Sequence, residues 1–188
     1  MVTTMDSLVT LDAQIATWLQ GSGTPRLSAF LMVVSLLHTH AVVLALAVAL
    51  AIAFHLRGER RWLHAVILVI PGGLALNAAL KEIVQRPRPV YEFPLVTLDT
   101  FSFPSGHTAA ATLLYGFLAV YLIQRTRRPA LRAAIAAGAF ALVALVGFAR
   151  MYLGAHYLTD VVAAAGFALL WLGFSLWIVH AASAARPG

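Results

Sequence analysis

Cysteine is absent from this 188-residue chain, which excludes a disulfide framework and any thiolate-ligated metal centre. Charge is scarce too. Only 11% of the residues are charged, whereas a soluble domain carries about one quarter, and seven of them are Asp or Glu. In their place, 61% of the chain is hydrophobic and the mean hydropathy is +0.87, the composition of an integral membrane protein. The net charge of +6 raises the question of nucleic acid. The basic residues, however, sit in short clusters between apolar runs and form no continuous basic face, so the partner they imply is the bilayer. Internal repeats and low-complexity tracts are absent as well, which points to one all-α bundle without a second domain.

Five apolar stretches, near 27–56, 62–84, 106–124, 131–148 and 156–180, approach or exceed the ~20 residues that a helix needs to cross a bilayer. The first is interrupted at His38-Thr39-His40, so the count is five spans, or six if that stretch is two helices. Ahead of it, Leu8, Leu11, Ile15 and Trp18 recur at helical spacing among polar residues, until Gly21-Ser22-Gly23-Thr24-Pro25 ends the pattern. This segment, 1–26, reads as an amphipathic helix lying at the membrane interface. Its acidic start and the lack of a prompt apolar core distinguish it from a signal peptide. The membrane domain then runs over 27–182, with a short tail at 183–188.

The loops give the orientation. Arg57, Arg60 and Arg61 join the first two spans, while Arg125, Arg127, Arg128 and Arg132 join the third and fourth; short arginine-rich loops stay in the cytoplasm. The 85–105 loop, the turn at 149–155 and the amino terminus then share the outer face. That face nevertheless holds Lys81, Arg86, Arg88 and Arg150, against the topological bias, which asks for a functional reason. The same region, 81–160, holds three short motifs: Lys81 and, with six residues between, Arg88-Pro89; Pro104-Ser105-Gly106-His107; and Arg150, followed by His156 and Asp160.

In that order the motifs resemble those of the type 2 phosphatidic acid phosphatase superfamily, which also contains the vanadium haloperoxidases, over about residues 62–170. The resemblance implies a small bacterial inner-membrane lipid phosphatase with its site facing the periplasm or cell exterior. It implies His156 as a nucleophile that forms a phosphohistidine, and His107 as the group that protonates the leaving oxygen and later activates water. The expected substrates are a lipid phosphate or diphosphate: undecaprenyl diphosphate first, on chain size, then phosphatidylglycerophosphate, phosphatidic acid or a phosphorylated lipid A. One position departs from the family pattern. Ala149 stands where Ser usually precedes the third-motif arginine, which removes a hydroxyl donor of about 1 kcal/mol.

The residues also make chemical sense by themselves. Phosphoryl transfer needs donors on the equatorial oxygens, an in-line nucleophile and an acid for the leaving oxygen. Lys81, Arg88 and Arg150 supply a cationic clamp, so no metal or other cofactor is expected. Pro104 stops the preceding segment, Ser105 is expected to cap the next helix, and Gly106 lets the backbone approach an anion at the helix start. His107 on that first turn is placed as a general acid. His156 and Asp160, four residues apart on one helix face, let the carboxylate hold one imidazole nitrogen and leave the other free.

Other readings of these residues belong to different classes: a haloperoxidase holding vanadate in the same cradle, or a catalytically silent transporter or scaffold. Arg86, separated from Lys81 by four residues rather than six, reads as peripheral. His38, His40, His55, His64 and His180 read as interfacial or packing residues, and Gly72, Gly73, Ala163–Ala165 and Gly166 as allowing close helix contact.

Overall fold

The computed structural model describes residues 2–21, 23–91, 95–96 and 98–184. Seven helices make up the regular structure of those residues: α1 (Val2–Gly21), α2 (Pro25–Leu37), α3 (His40–Leu56), α4 (Arg60–Val84), α5 (Gly106–Gln124), α6 (Pro129–Tyr152) and α7 (Leu158–Ala184). Helices α4 to α7 are long and apolar enough to cross a bilayer, and α2 and α3 meet the same measure only when taken together, with a bend of 47° at His38-Thr39. The expected bundle is present, and the break falls in the His38-Thr39-His40 segment. Thr39 caps α3 with its hydroxyl, which accepts from Val42 N. His38 ends α2 by bonding Val34 O and the Tyr115 hydroxyl, each at 2.7 Å, so it is a packing residue as read. Beyond Ala184, the tail lies outside the described residues.

Helix α5 is the central rod, packed on α3, α4, α6 and α7. Its site-end half explains why: Ala109, Ala110 and Ala111 are fully or almost fully buried, and side chains that small let four neighbours approach. Without a solvent-driven hydrophobic effect between membrane helices, such close van der Waals contact carries the association. Farther along, Phe117 and Tyr121 meet Phe54 and Trp62 in edge-to-face contacts with centroids 5.0–6.0 Å apart. The same end of the bundle carries the arginine loops, and Arg125 bonds Glu59 across them.

At Gly73 a Cβ would lie 2.6 Å from both Leu113 methyls and 2.9 Å from Trp171, and at Gly72 it would meet Trp171 at 2.8 Å. Both glycines therefore do allow close packing. Gly166 does not: a Cβ there meets nothing within 4 Å, so the small-residue reading fails at that position, which faces outward. Gly73→Val should accordingly lower the melting temperature in detergent by an amount equivalent to about 1–3 kcal/mol of overpacking. Gly166→Val should leave it nearly unchanged.

Candidate active site

The sequence Arg86-Pro87-Arg88-Pro89 cannot continue α4, because each proline biases the residue before it toward extended backbone and removes a donor. Gln85, at φ 51°, ends the helix. The extended run is pinned to the returning chain by Ser102, whose N donates to Arg86 O at 2.8 Å and whose hydroxyl donates to Pro87 O at 3.0 Å. Arg88 then reaches the α6–α7 turn. Its Nη1 donates to Ala155 O at 2.6 Å and stands 3.5 Å from His156 Nε2, while Nε donates to Thr100 O at 2.6 Å. Lys81, one turn before the end of α4, donates to Phe101 O at 2.6 Å and Pro104 O at 3.2 Å.

The α6–α7 turn is built by a Schellman motif. Ala155 N donates to Arg150 O and Gly154 N to Met151 O, each at 3.0 Å, with Gly154 at φ +77°. Arg150 thus closes its helix with its carbonyl while its side chain points into the bundle, 2% exposed. One of its nitrogens, Nη1, donates to the Ser35 hydroxyl on α2. Nε and Nη2 are buried without a partner among the described residues. Ala149 is buried in the apolar cluster with Leu31, Val34 and Ala111, so the missing family hydroxyl leaves packing intact. The hydroxyl that meets Arg150 is that of Ser35.

His156, 3% exposed, follows the turn. Its Nδ1 faces Asp160 Oδ2 at 3.6 Å, just beyond hydrogen-bond length. The same oxygen accepts from Tyr157 N at 2.9 Å. Burial drives the His156 pKa down, from 6.5 to about 4, with Arg150 and Arg88 adding to the effect and Asp160 opposing it. The ring is therefore neutral at ordinary pH. Burial likewise lowers Arg88.

A cavity of about 550 Å³ gathers these groups: Lys81, Arg88, Gly106, His107, Arg150 and His156 line it, together with Glu82, Asn77 and His40. Six of the eight sequence-predicted site residues thus share one wall. The other two stand behind it. Ser105 is fully buried at the N-cap of α5, but its hydroxyl makes no cap bond; it accepts from the Thr108 hydroxyl at 3.0 Å instead. That corrects the expected cap and leaves the first turn of α5 uncapped by a side chain, with its N–H groups at the cavity. Asp160, 0% exposed, is held from below.

Two residues escaped the sequence reading. Arg86, taken as peripheral, donates to Asp160 Oδ1 at 2.6 Å and to Asp12 Oδ2 at 2.9 Å. Burial lowers its pKa, but the hydrogen bonds and charges of the two carboxylates prevail and raise it. The duplicated Arg-Pro was the one available signal. His40, taken as a packing residue, faces His107 with ring centroids 6.1 Å apart and lines the cavity. Its position at the start of α3, just past the break, was the only hint.

Comparison with known proteins was consistent across sequence and structure. A family model described as the PAP2 superfamily matches residues 62–184. Phosphatidylglycerophosphatase B of Bacillus subtilis (strain 168) is 40% identical over 114 residues, 59% of this chain and 54% of the relative; the chain spans about half the length of that protein. Among solved structures, a transmembrane PAP2-type phosphatidylglycerolphosphate phosphatase from Bacillus subtilis superposes with TM-score 0.74 at 28% identity, over 96% of this chain and 88% of that one. Aquifex aeolicus LpxE superposes with TM-score 0.69 at 26% identity, over 88% and 94%.

Gly106 leaves a measurable signature in this geometry, because a Cβ there would lie 2.7 Å from His40 Nε2. Gly106→Ala should weaken vanadate binding, read as a loss of ligand-induced thermal shift, by displacing His40 into the cradle. Adding His40→Ala should restore much of the shift, since it removes the clashing ring.

Proposed function

The chain belongs to the PAP2 superfamily, and from that membership we propose that it is a membrane lipid phosphatase working through a phosphohistidine. One observation carries the reading: Arg150 holds two buried nitrogens, Nε and Nη2, without a partner among the described residues, beside His156, Arg88 and Lys81 in one cavity. A phosphate oxygen supplies the missing acceptor, and three cations match a multiply charged group.

His156 Nε2, on the Arg88 side of the ring, attacks phosphorus as the P–O bond to the lipid alcohol or lipid phosphate breaks. The negative charge of the incoming phosphate favours the imidazolium form of His107, which gives its proton to the departing oxygen. The neutral His107 then takes a proton from water, the hydroxide attacks the phosphohistidine, and inorganic phosphate leaves with His156 restored. Asp160, facing Nδ1, orients the ring and offsets the positive charge of the phosphorylated imidazole. Lys81, Arg88, Arg150 and the first-turn N–H groups of α5 stabilise the equatorial oxygens, so a metal has no necessary part.

The substrate is a phosphorylated lipid, because the cavity lies at one end of helices long and apolar enough to cross a bilayer, where lipid head groups sit. Phosphatidylglycerophosphate gains support from the name of the Bacillus relative; undecaprenyl diphosphate, ranked first on chain size, and phosphorylated lipid A are the competing substrates. The loop arginines favour a site on the periplasmic or outer face of a bacterial inner membrane.

Phosphate release from these lipids should exceed release from water-soluble esters in the same detergent, and should survive EDTA. His156→Ala should abolish it. Equal hydrolysis of soluble esters would end the lipid claim, and activity in His156→Ala would end the mechanism. The imidazole of His156, followed by 15N NMR, should titrate near pH 4 rather than 6.5; it protonates as pH falls through that value, so the nucleophile stays competent from about pH 5 upward. For topology, a cysteine replacing Val90, which is 94% exposed, should label with an impermeant thiol reagent from outside, and one replacing Arg127 only after the membrane is opened.

A further inference from the structure

The proposed chemistry leaves one buried carboxylate unused. Asp12 lies on α1, far from the motifs in sequence, and is 2% exposed. Its Oδ1 accepts from Thr159 N at 3.1 Å, and its Oδ2 accepts from Arg86 Nη2 at 2.9 Å and from the Thr159 hydroxyl. Arg86 does not stop there. Its Nη1 continues to the Thr159 hydroxyl at 2.7 Å and to Asp160 Oδ1 at 2.6 Å. One guanidinium is therefore shared by two carboxylates, and Asp160 keeps its other oxygen, Oδ2, toward Tyr157 N and His156 Nδ1.

We propose that Asp12 is a positioning residue of the active site: through Arg86 and Thr159 it holds the Asp160 carboxylate in the orientation that faces His156, which makes α1 part of the catalytic apparatus. The inference rests on the reading of His156 as the nucleophile. Its physical basis is the geometry of a planar fork. A guanidinium facing a single carboxylate prefers the bidentate arrangement, with two parallel N–H···O bonds. Asp12 prevents that by occupying Nη2. Without it, the fork is free to close on both Asp160 oxygens, turn the carboxylate and draw Oδ2 from His156. Arg86 has room for the movement, since its side chain is 23% exposed and lies over the Tyr157 ring at 4.3 Å.

The rest of α1 fits a part held in place from two sides. Ala16 and Leu19 share the buried face with Asp12, whereas Val9 and Trp18 are 63% and 68% exposed. The apolar outer face suits the bilayer surface, and the inner face carries the polar bond to the site.

The test uses the full-length enzyme in detergent with the best lipid substrate. Asp12→Asn keeps the shape and removes the charge. It should lower kcat by about 10- to 100-fold, the range for partners that orient a reactive side chain, while KM stays within about twofold. In an Asp160→Asn background the same substitution should have no further effect on residual kcat, because the carboxylate it orients is gone. Thr159→Val, which loses a single hydroxyl, should show a smaller fall and the same non-additivity, and it serves as the second variant if Asp12→Asn does not fold. A merely structural Asp12 would lower kcat equally in both backgrounds, or lower the melting temperature while the kcat of the folded fraction stays unchanged. Either result, or a rise in KM alone, overturns the proposal. Wild-type enzyme without lipid phosphatase activity, or an active His156→Ala, would end the functional reading and this inference with it; an active wild type and a dead His156→Ala beside an unimpaired Asp12→Asn would end the inference alone.

Discussion

An arginine buried with unspent hydrogen-bond donors is the constraint around which this protein is arranged. Removing a cation from water costs several kcal/mol unless its donors are met, and among the described residues Arg150 finds a single partner, the Ser35 hydroxyl. Lys81 and Arg88 stand on the same cavity and spend their donors on backbone carbonyls, which are dipoles rather than full charges. Asp160, the nearest buried carboxylate, is already engaged by Arg86. Positive charge is thus left over at one place, the cavity lined by Lys81, Arg88 and Arg150.

The bundle is laid out to keep that imbalance stable. Helix α5 delivers its N-terminus to the cavity, and its alanines admit α3, α4, α6 and α7 at close range. Helix α2, set at an angle to α3, brings Ser35 to Arg150 and a second apolar cluster around Ala149. At the far end, aromatic rings and the Glu59–Arg125 contact tie together the loops that carry Arg57, Arg125, Arg127 and Arg128. The arginines of those two loops and the cations that line the cavity therefore occupy opposite ends of the bundle.

Much of this was legible in the sequence, for reasons that differ by residue. Spans were visible because twenty apolar residues leave little choice of structure, and Pro104-Ser105-Gly106-His107 announced a helix start because stop, cap position and small residue come in order. Lys81, Arg88, Arg150 and His156 were legible as unneutralised charge and titratable groups gathered on the face opposite the arginine-rich loops. Asp12 was not, because its partners lie 74 and 147 residues away, and a helix pattern read from Leu8, Leu11 and Trp18 identifies the face that looks outward, not the one that docks. Arg86 was misread because spacing from Lys81 was used as the criterion, whereas its partners come from α1 and α7. Ser105 sits where a cap belongs, yet Thr108 competes for its oxygen, a choice between two local bonds that a sequence pattern does not rank.

The Schellman end of α6 also acts as a ruler. Its two backbone bonds fix where Met151, Gly154 and Ala155 stand relative to Arg150, and Ala155 in turn gives its carbonyl to Arg88. The interval between the buried guanidinium and the imidazole of His156 is consequently a calibrated length rather than a loop. A residue added or removed there would swing the ring off the cavity even if every side chain survived, so this turn should accept changes of side chain far more readily than changes of length.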